Sequence, residues 1–208
     1  MKIICVGRNY AAHAHELGND VPTEPLIFMK PDTAILRDDK PFYYPDFSTN
    51  IHYECEVVLR VARSGKYIAP EFAYKYIDAV TVGIDFTARD IQDRLKAAGQ
   101  PWEIAKGFNG SAVVGKMRTL AEAKITTAAD LRNIDFHLLR NGAQVQKSNT
   151  ALQLFPFDTL IAYVSRFFTL SVGDFIYTGT PEGVGAIAVG DTLEGFLGEE
   201  RLFVCEIK

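Results

Sequence analysis

Two glutamates stand two residues apart in the stretch IHYECEVVLRVA, residues 51–62. Successive side chains on a strand point to opposite faces, so Glu54 and Glu56 share one face with His52. That face could simply be the solvent side of a half-exposed strand. If it lines a pocket, two carboxylates about 6 Å apart repel by roughly 3 kcal/mol at an effective dielectric of about 20, and the pair needs a cation. All-oxygen ligands favour Mg²⁺, Mn²⁺ or Ca²⁺.

Asp85 could supply a third carboxylate to such a site. It ends the apolar run IDAVTVGID, residues 77–85, where a buried strand is expected to give way to a helix in TARDIQDRLKAAG, residues 87–99. An Asp in this place is most often a helix cap. Thr87 and Asp90, however, form a Thr-x-x-Asp variant of the capping box, which leaves Asp85 free for a metal.

Arg89 lies in the first turn of this predicted helix, where the macrodipole disfavours a cation by a few tenths to about 1 kcal/mol. A salt bridge to Asp85 or Asp93 would explain it, and so would an anionic ligand. Gln92 lies one turn along on nearly the same face. Arg89 and Gln92 together could hold a substrate carboxylate.

A histidine and a glutamate are paired in NYAAHAHELG, residues 9–18. His13 and Glu16 are three apart and so lie about 60° apart around a helix, whereas His15 lies on the far side. The pair could be a general base with its orienting partner, or a solvated surface pair.

Two further residues could contact an anionic substrate. Lys106 has apolar neighbours in EIAKGF, which could lower its pKa or merely let its stem lie along apolar surface. Thr180, in TGTP at residues 178–181, combines a hydroxyl with a glycine that permits close backbone approach. This suits an anion contact and equally a tight turn.

Composition excludes some classes of function. Of the 208 residues, 48% are hydrophobic and 23% charged, and the net charge of −4 leaves no basic surplus for nucleic acid. The three cysteines are far apart and form no Cys-x-x-Cys pair, so we expect a reducing cytoplasm. No apolar run is long enough for a signal peptide or a membrane span, so we expect no membrane partner.

The elements that must position these side chains are mostly strands. KIICVG predicts a first strand, and residues 9–18 predict a short helix with Asn9 as its cap and Gly18 as its stop. Pro70 predicts the start of another short helix.

Further along the chain, the strand signals continue. Asn141-Gly142 between extended halves predicts a hairpin, and FPFDTLIAYVSRFF, residues 155–168, predicts an amphipathic helix. TLEGFL and RLFVCEIK predict two last strands. Because strands outnumber helices and do not alternate with them, we expect a mostly β, α+β fold with a mixed sheet.

These pieces together resemble the fumarylacetoacetate hydrolase family, in particular its short branch of acylpyruvases and oxaloacetate decarboxylase-like proteins. The matching stretches, in family order, are CVGRNYAAHAHELG, EPLIFMKP, HYECEVVLRV, GIDFTARDIQ, WEIAKGFNGSAVVG, FPFDTLIAYVSRFFTLSVGD and TGTPEGVG. The resemblance implies a mixed β-sandwich roll, with residues 1–208 forming a single catalytic domain that dimerises with a second copy.

The resemblance also implies residue roles. Glu54, Glu56 and Asp85 would be ligands of Mg²⁺ or Mn²⁺, and His13 with Glu16 would be the catalytic pair on a mobile lid. Lys106, Arg89, Gln92 and Thr180 would surround a small 2-oxo acid substrate, with Lys106 holding the departing enolate.

Three reactions fit this set of residues. The hypothesis we favour at this point is hydrolysis of a carbon–carbon bond in an acylpyruvate, in which His13 activates water and a pyruvate enolate leaves. Oxaloacetate decarboxylation needs the same enolate without the water, and isomerisation or tautomerisation of an oxo-diacid needs only proton transfer. A non-catalytic binder of dicarboxylates would need the carboxylates and Lys106 but not the His–Glu pair.

Overall fold

The structure, a computed structural model, describes residues 1–16, 18 and 20–208. Its largest sheet has eight strands and curls into a half-barrel. In spatial order the strands are β2 (Leu26–Lys30), β1 (Ile3–Gly7), β12 (Phe175–Tyr177), β5 (Cys55–Val61), β6 (Ile77–Asp85), β8 (Ala112–Val114) and β3 (Ile35–Leu36), and β9 (Arg118–Thr119) also pairs with β6. The β1–β12 and β3–β8 pairs are parallel and the others antiparallel, which confirms the predicted mixed sheet.

Two smaller sheets complete the β structure. The four-stranded one has the order β11 (Ala143–Asn149), β10 (Asp135–Arg140), β14 (Thr192–Leu197) and β15 (Glu200–Glu206), and the three-stranded one has the order β13 (Gly185–Ala186), β4 (Ile51–Tyr53) and β7 (Thr87–Ala88). The predicted hairpin joins β10 to β11. Asn141 and Gly142 both have positive φ, 53° and 79°, as a two-residue turn of this kind requires.

The helices are short. They are α1 (Ala11–Glu16), α2 (Arg89–Ala97), α3 (Glu103–Lys106), α4 (Ala128–Leu131) and α5 (Phe157–Phe167), with 3₁₀ turns at Asp32–Ala34, Pro70–Tyr76 and Thr150–Leu152. The helix predicted to begin at Pro70 is therefore of the 3₁₀ type, and Leu17, within the helix predicted over 9–18, lies outside the described residues. Among the described residues, no helix has both the length and the apolar character needed to cross a bilayer.

Two predicted helix caps are wrong. The Asn9 amide nitrogen donates to the carbonyls of Phe155 (3.0 Å) and Thr178 (2.8 Å), so this side chain ties three segments together instead of capping α1. Thr87 does not cap α2, since the backbone there is extended in β7 and the helix begins at Arg89 without a side-chain cap.

The core explains the placement of the two glutamates. Alternate residues of the 51–62 stretch, from Tyr53 to Val61, are buried in the larger apolar cluster, as predicted from their spacing. Val58 lies on the opposite face, in a second cluster that includes Cys5 and Tyr177 on neighbouring strands. Glu56 shares that second face and is 1% exposed, so its carboxylate is buried there and does not point into solvent.

Candidate active site

Three carboxylates meet where β5 begins and β6 ends. Glu54 occupies the break between β4 and β5, Glu56 follows it on β5, and Asp85 is the last residue of β6. One carboxylate oxygen from each lies within 4.8 Å of the others, and the residues are 5%, 1% and 1% exposed. The Asp85 N–H donates to the Glu54 carbonyl at 2.8 Å, which fixes the two strands in this register.

Cations compensate two of these carboxylates. The Lys106 ammonium donates to Glu54 Oε2 and Asp85 Oδ2, both at 2.8 Å, and to the Thr87 hydroxyl at 2.6 Å. Arg89 also pairs with Glu54, and Lys30 Nζ lies 2.7 Å from Asp85 Oδ1. Burial by itself raises the pKa of Glu54, but Lys106 and Arg89 outweigh it and hold that pKa well below its usual range.

Glu56 is the uncompensated carboxylate. Among the described residues no lysine or arginine pairs with it, and its Oε2 accepts a hydrogen bond only from the Gly179 N–H, at 2.7 Å. Gly179 has φ +102°, and a Cβ there would lie 2.5 Å from Asn9 Cβ, so only glycine presents its N–H in this position. Burial, together with the charges of Asp85 and Glu54, raises the pKa of Glu56 well above its usual range.

The residues present fit a divalent cation. All three groups offer carboxylate oxygens, the donor type that Mg²⁺ and Mn²⁺ prefer. The three oxygens lie within 4.8 Å of one another, and a Mg²⁺ that bound all three at about 2.0–2.1 Å would draw the side chains inward. Asp85 Oδ1 is buried and accepts no hydrogen bond, since the approach of Lys30 lacks the required direction. A divalent cation would neutralise the charge of Glu56, with which no described lysine or arginine pairs.

Metal affinity is expected to rise with pH. Because burial and like charges raise the pKa of Glu56, and a ligand carboxylate must be ionised, metal binding releases the Glu56 proton. Below that raised pKa the affinity for Mn²⁺ should increase up to about tenfold per pH unit, and above it the affinity should level off. Calorimetric titrations in buffers of different ionisation enthalpy count the released proton. An affinity independent of pH, with no proton release, would contradict this account.

The predicted histidine–glutamate pair is present at the edge of the site. His13 Nδ1 lies 3.4 Å from Glu16 Oε2, and Glu16 Oε1 also accepts from the Gly183 N–H at 3.0 Å. His13 is 4% exposed, whereas His15 on the same helix is exposed. Burial lowers the pKa of His13, although Glu54 and Glu16 oppose it, so the imidazole is neutral at pH 7 and can accept a proton.

Arg89 and Gln92 face the site from α2. Arg89 Nη1 donates to Gln92 Oε1 at 2.6 Å, and Nη2 donates to Glu54. The predicted salt bridge of Arg89 to Asp85 or Asp93 is therefore wrong, because Glu54 takes that place. Arg89 is 7% exposed and its Nε has no partner among the described residues, so a donor remains free for a ligand.

Thr180 is linked through Gln146 to the strand that carries the two glutamates. Its hydroxyl accepts from Gln146 Nε2 at 2.9 Å, and Gln146 Oε1 accepts from the Cys55 N–H at 2.9 Å. The contact holds the backbone between the two glutamates, and Thr180 is next to Gly179 in the chain. The described residues that line the cavity beside the carboxylates do not include Thr180.

The two lysines of the site differ from expectation. A pKa of Lys106 lowered by its apolar flanks was one predicted alternative; burial does lower it, but Asp85 and Glu54 outweigh burial and raise the pKa. Sequence reasoning missed Lys30, which is 2% exposed and donates to Ser111 Oγ at 3.0 Å. A lysine that ends the apolar run LIFM, directly before Pro31, was the available signal.

A small cavity of about 30 Å³ lies against this cluster. His13, Glu54, Arg89, Gln92 and Lys106 are among the residues that line it. Its volume is close to that of one water molecule in the liquid, so a four-carbon acid must displace neighbouring side chains or extend out of the cavity.

Comparison with known proteins identifies enzymes that this chain resembles. The chain is 40% identical over 192 residues to the oxaloacetate tautomerase YcgM of Escherichia coli (92% of this chain and 86% of that one). It is 37% identical over 194 residues to a mitochondrial oxaloacetate decarboxylase of Dictyostelium discoideum (93% and 87%).

A solved structure shares the whole fold. It is the fumarylpyruvate hydrolase of Pseudomonas aeruginosa in complex with Mn²⁺ and pyruvate, which superposes with a TM-score of 0.92 at 35% identity and covers 100% of this chain and 89% of that one. The fumarylacetoacetate (FAA) hydrolase C-terminal family matches residues 2–207. With its mostly β half-barrel and its buried carboxylate site for a divalent metal, the chain therefore belongs to the fumarylacetoacetate hydrolase family of enzymes.

Proposed function

We propose that the protein is a Mg²⁺- or Mn²⁺-dependent enzyme that promotes enolisation of small 2-oxo acids, with the keto–enol tautomerisation of oxaloacetate as its reaction. The observation that carries this proposal is the convergence of Glu54, Glu56 and Asp85 beside Lys106 and a neutral His13. The relatives named for oxaloacetate tautomerisation, such as the one at 40% identity, support the choice of reaction.

Each part of the site has a separate task. A divalent cation held by Glu54, Glu56 and Asp85 would act as a Lewis acid towards the oxygens of the 2-oxo acid and lower the cost of negative charge on them. Lys106, whose pKa is raised, stays protonated and stabilises negative charge on the C2 oxygen. Arg89 and Gln92 offer donors to the adjacent carboxylate.

Proton transfer at C3 falls to His13. The neutral imidazole can remove a C3 proton, and Glu16, held by the Gly183 N–H, orients the ring through Nδ1. In the reverse direction the imidazolium returns the proton to C3. In the forward direction the imidazolium passes its proton, directly or through water, to the C2 oxygen, so that the C3–H bond breaks, an O–H bond forms and the net change is the transfer of one proton.

Hydrolysis of an acylpyruvate is the second candidate. The same His13–Glu16 pair could remove a proton from water, and that water would attack the distal carbonyl before the bond to C3 breaks. The similarity to the fumarylpyruvate hydrolase structure favours this reaction. The relative named as a decarboxylase makes CO₂ release from oxaloacetate the third reaction to measure.

One panel of assays separates the three reactions. Purified protein with Mg²⁺ or Mn²⁺ is mixed with enol oxaloacetate, acetylpyruvate and fumarylpyruvate, and the ultraviolet absorbance of the enol, CO₂ release and pyruvate formation are followed. We expect the protein to accelerate most strongly the loss of enol absorbance from oxaloacetate, with no release of CO₂. Fast pyruvate formation from an acylpyruvate, with no effect on oxaloacetate tautomers, would show that the reaction is hydrolysis and not tautomerisation.

Removal of the proton-transfer group tests the role of His13. His13→Asn should lower kcat for tautomerisation by about 10²–10³, since a positioned base contributes this much, while KM changes little. Glu16→Gln should have a smaller effect in the same direction. His15→Asn, on the exposed side of the same helix, is the matched control and should keep parental rates. Unchanged kcat in His13→Asn would remove this residue from the mechanism.

The dimer expected from the family resemblance remains a prediction. Size-exclusion chromatography with light scattering would measure the mass of the protein in solution. The single catalytic domain over residues 1–208 likewise remains a proposal, which limited proteolysis tests through the size of the protected fragment.

A further inference from the structure

Two cations at the mouth of the cavity take no part in the chemistry described above. They are Arg8, which follows β1, and Lys96, near the end of α2, and we call them the outer cations. Both line the same cavity as His13 and Arg89. Both are half-buried, whereas the three carboxylates are buried, so the outer cations lie on the solvent side of the cavity.

The sequence of α2 directs Lys96 towards the cavity. Arg89, Gln92 and Lys96 follow one another at intervals of three and four residues, so they lie on one face of the helix. Arg89 and Gln92 already reach the site, and Lys96 extends this row by one turn. Arg94, between them in sequence, is exposed on another face.

Arg8 holds a backbone conformation that arginine disfavours. Its φ is +56°, in the left-handed region that costs a residue with a side chain roughly 1 kcal/mol or more. The preceding Gly7 does not take up this strain, because it lacks a positive φ. A strained arginine kept beside a cavity indicates that its side chain is used there.

Neither outer cation has a carboxylate partner. Among the described residues no Asp or Glu oxygen lies within salt-bridge distance of Arg8 or Lys96, and the two residues outside that set, Leu17 and Asn19, carry no charge. Burial, followed by the charges of Arg89 and Arg8, lowers the pKa of Lys96. Like charges therefore converge at the mouth, and an anion bound there would relieve their repulsion.

Aromatic side chains line the cavity between Lys96 and Lys106. Lys96 Nζ lies 5.7 Å from the Trp102 ring centroid, and Trp102 packs edge-on against Phe28 at 6.0 Å. The Lys106 ammonium lies 5.1 Å from the Phe28 ring on the inner side. The cavity thus has a charged inner end, an apolar wall and a cationic mouth.

From this arrangement we propose that Arg8 and Lys96 form a subsite for a second carboxylate, so that the preferred ligand is a dicarboxylic 2-oxo acid. The inference rests on the proposed function, in which the first carboxylate and the 2-oxo group bind at the inner end. It adds the residues that would distinguish a diacid from a monoacid of the same length.

The only tryptophan of the chain allows a test by binding alone. Trp102 lines the cavity, so its fluorescence reports occupancy without turnover. Protein loaded with Mg²⁺ is titrated with 2-oxoglutarate and with 2-oxopentanoate, which replaces the distal carboxylate by a methyl group. Only the diacid has a distal carboxylate that can accept charge-assisted hydrogen bonds from the outer cations. We therefore expect the diacid to bind about tenfold more tightly or better, with a preference that falls as salt is added.

Substitutions assign this preference to the outer cations. Arg8→Gln and Lys96→Gln should each reduce the ratio of the two dissociation constants by about three- to tenfold, and the double variant should abolish it. Arg8→Lys and Lys96→Arg should retain most of the ratio, and Arg94→Gln, which removes a charge elsewhere on α2, should leave it unchanged. If Arg8→Gln does not fold, Arg8→Gly, which suits the positive φ, takes its place.

The outcomes separate this proposal from the proposed function. A diacid preference that depends on Arg8 and Lys96 supports the subsite even if the protein leaves oxaloacetate tautomers unchanged. A ratio that is near unity in the parent protein, or that survives the double variant, overturns the subsite even if the tautomerase assay succeeds.

Discussion

Lys106→Met is expected to destabilise the metal-free protein by about 3–5 kcal/mol, because it leaves Glu54 and Asp85 buried without the ammonium between them. The pKa of Lys106 is raised in the folded state, so its contribution is fully present below the unfolded pKa of about 10.4 and is lost only as pH rises through the folded value. At pH 7 the whole effect should therefore appear in denaturant unfolding with a chelator present.

A divalent metal should restore much of this loss. If the three carboxylates bind one cation, saturating Mn²⁺ compensates the charge that Lys106 no longer supplies, and the unfolding midpoints of variant and parent should approach each other. Activity should stay low even then, since the positive charge beside the C2 oxygen is gone. Lys40→Met, at an exposed lysine, is the control. Equal destabilisation with and without Mn²⁺ would show that Lys106 and a bound metal do not compensate the same carboxylates.

Glu56→Gln is expected to change stability in the opposite direction. Its carboxyl pKa is raised in the folded state, so the carboxyl destabilises the metal-free protein increasingly as pH rises from about 4.3 towards that higher value. Glutamine carries no charge, and its carbonyl can still accept from Gly179 N–H. At pH 7 to 8 the metal-free variant should therefore be about 1–3 kcal/mol more stable than the parent.

The same substitution should also lower activity strongly. Loss of one of three ligands weakens Mn²⁺ binding, and loss of several kcal/mol of charge stabilisation corresponds to a fall of about 10³-fold in kcat/KM. Glu199→Gln, at an exposed glutamate, should affect neither property. A metal-free Glu56→Gln protein that is less stable than the parent would show that Glu56 is a structural partner and not a residue waiting for a cation.

The local parts of the site could be predicted from the sequence. The period of two in strands separates the faces of residues 51–62, and the continuous apolar run 77–85 places Asp85 at the end of a buried strand. Spacing also brings His13 to Glu16 and Arg89 to Gln92. In these cases neighbours along the chain determine the contact.

Contacts between distant segments could not be predicted this way. Lys30 lies beside Asp85 although the two are 55 positions apart in the sequence. Arg89 pairs with Glu54 although Asp85 and Asp93 are nearer to it in the sequence. Thr87 has the residue type of a cap, but the pairing of β7 with β4 keeps its backbone extended and its hydroxyl contacts Lys106. Tertiary structure here overrides a local preference worth about 1 kcal/mol.

Calorimetric titration with Mn²⁺ tests the central claim most directly, namely that Glu54, Glu56 and Asp85 together hold one divalent ion. We expect one Mn²⁺ per chain in the parent protein, bound with proton release, and severely weakened binding in Asp85→Asn while the fold is kept. Binding of the same affinity and stoichiometry in Asp85→Asn, or none in the parent protein, would contradict it.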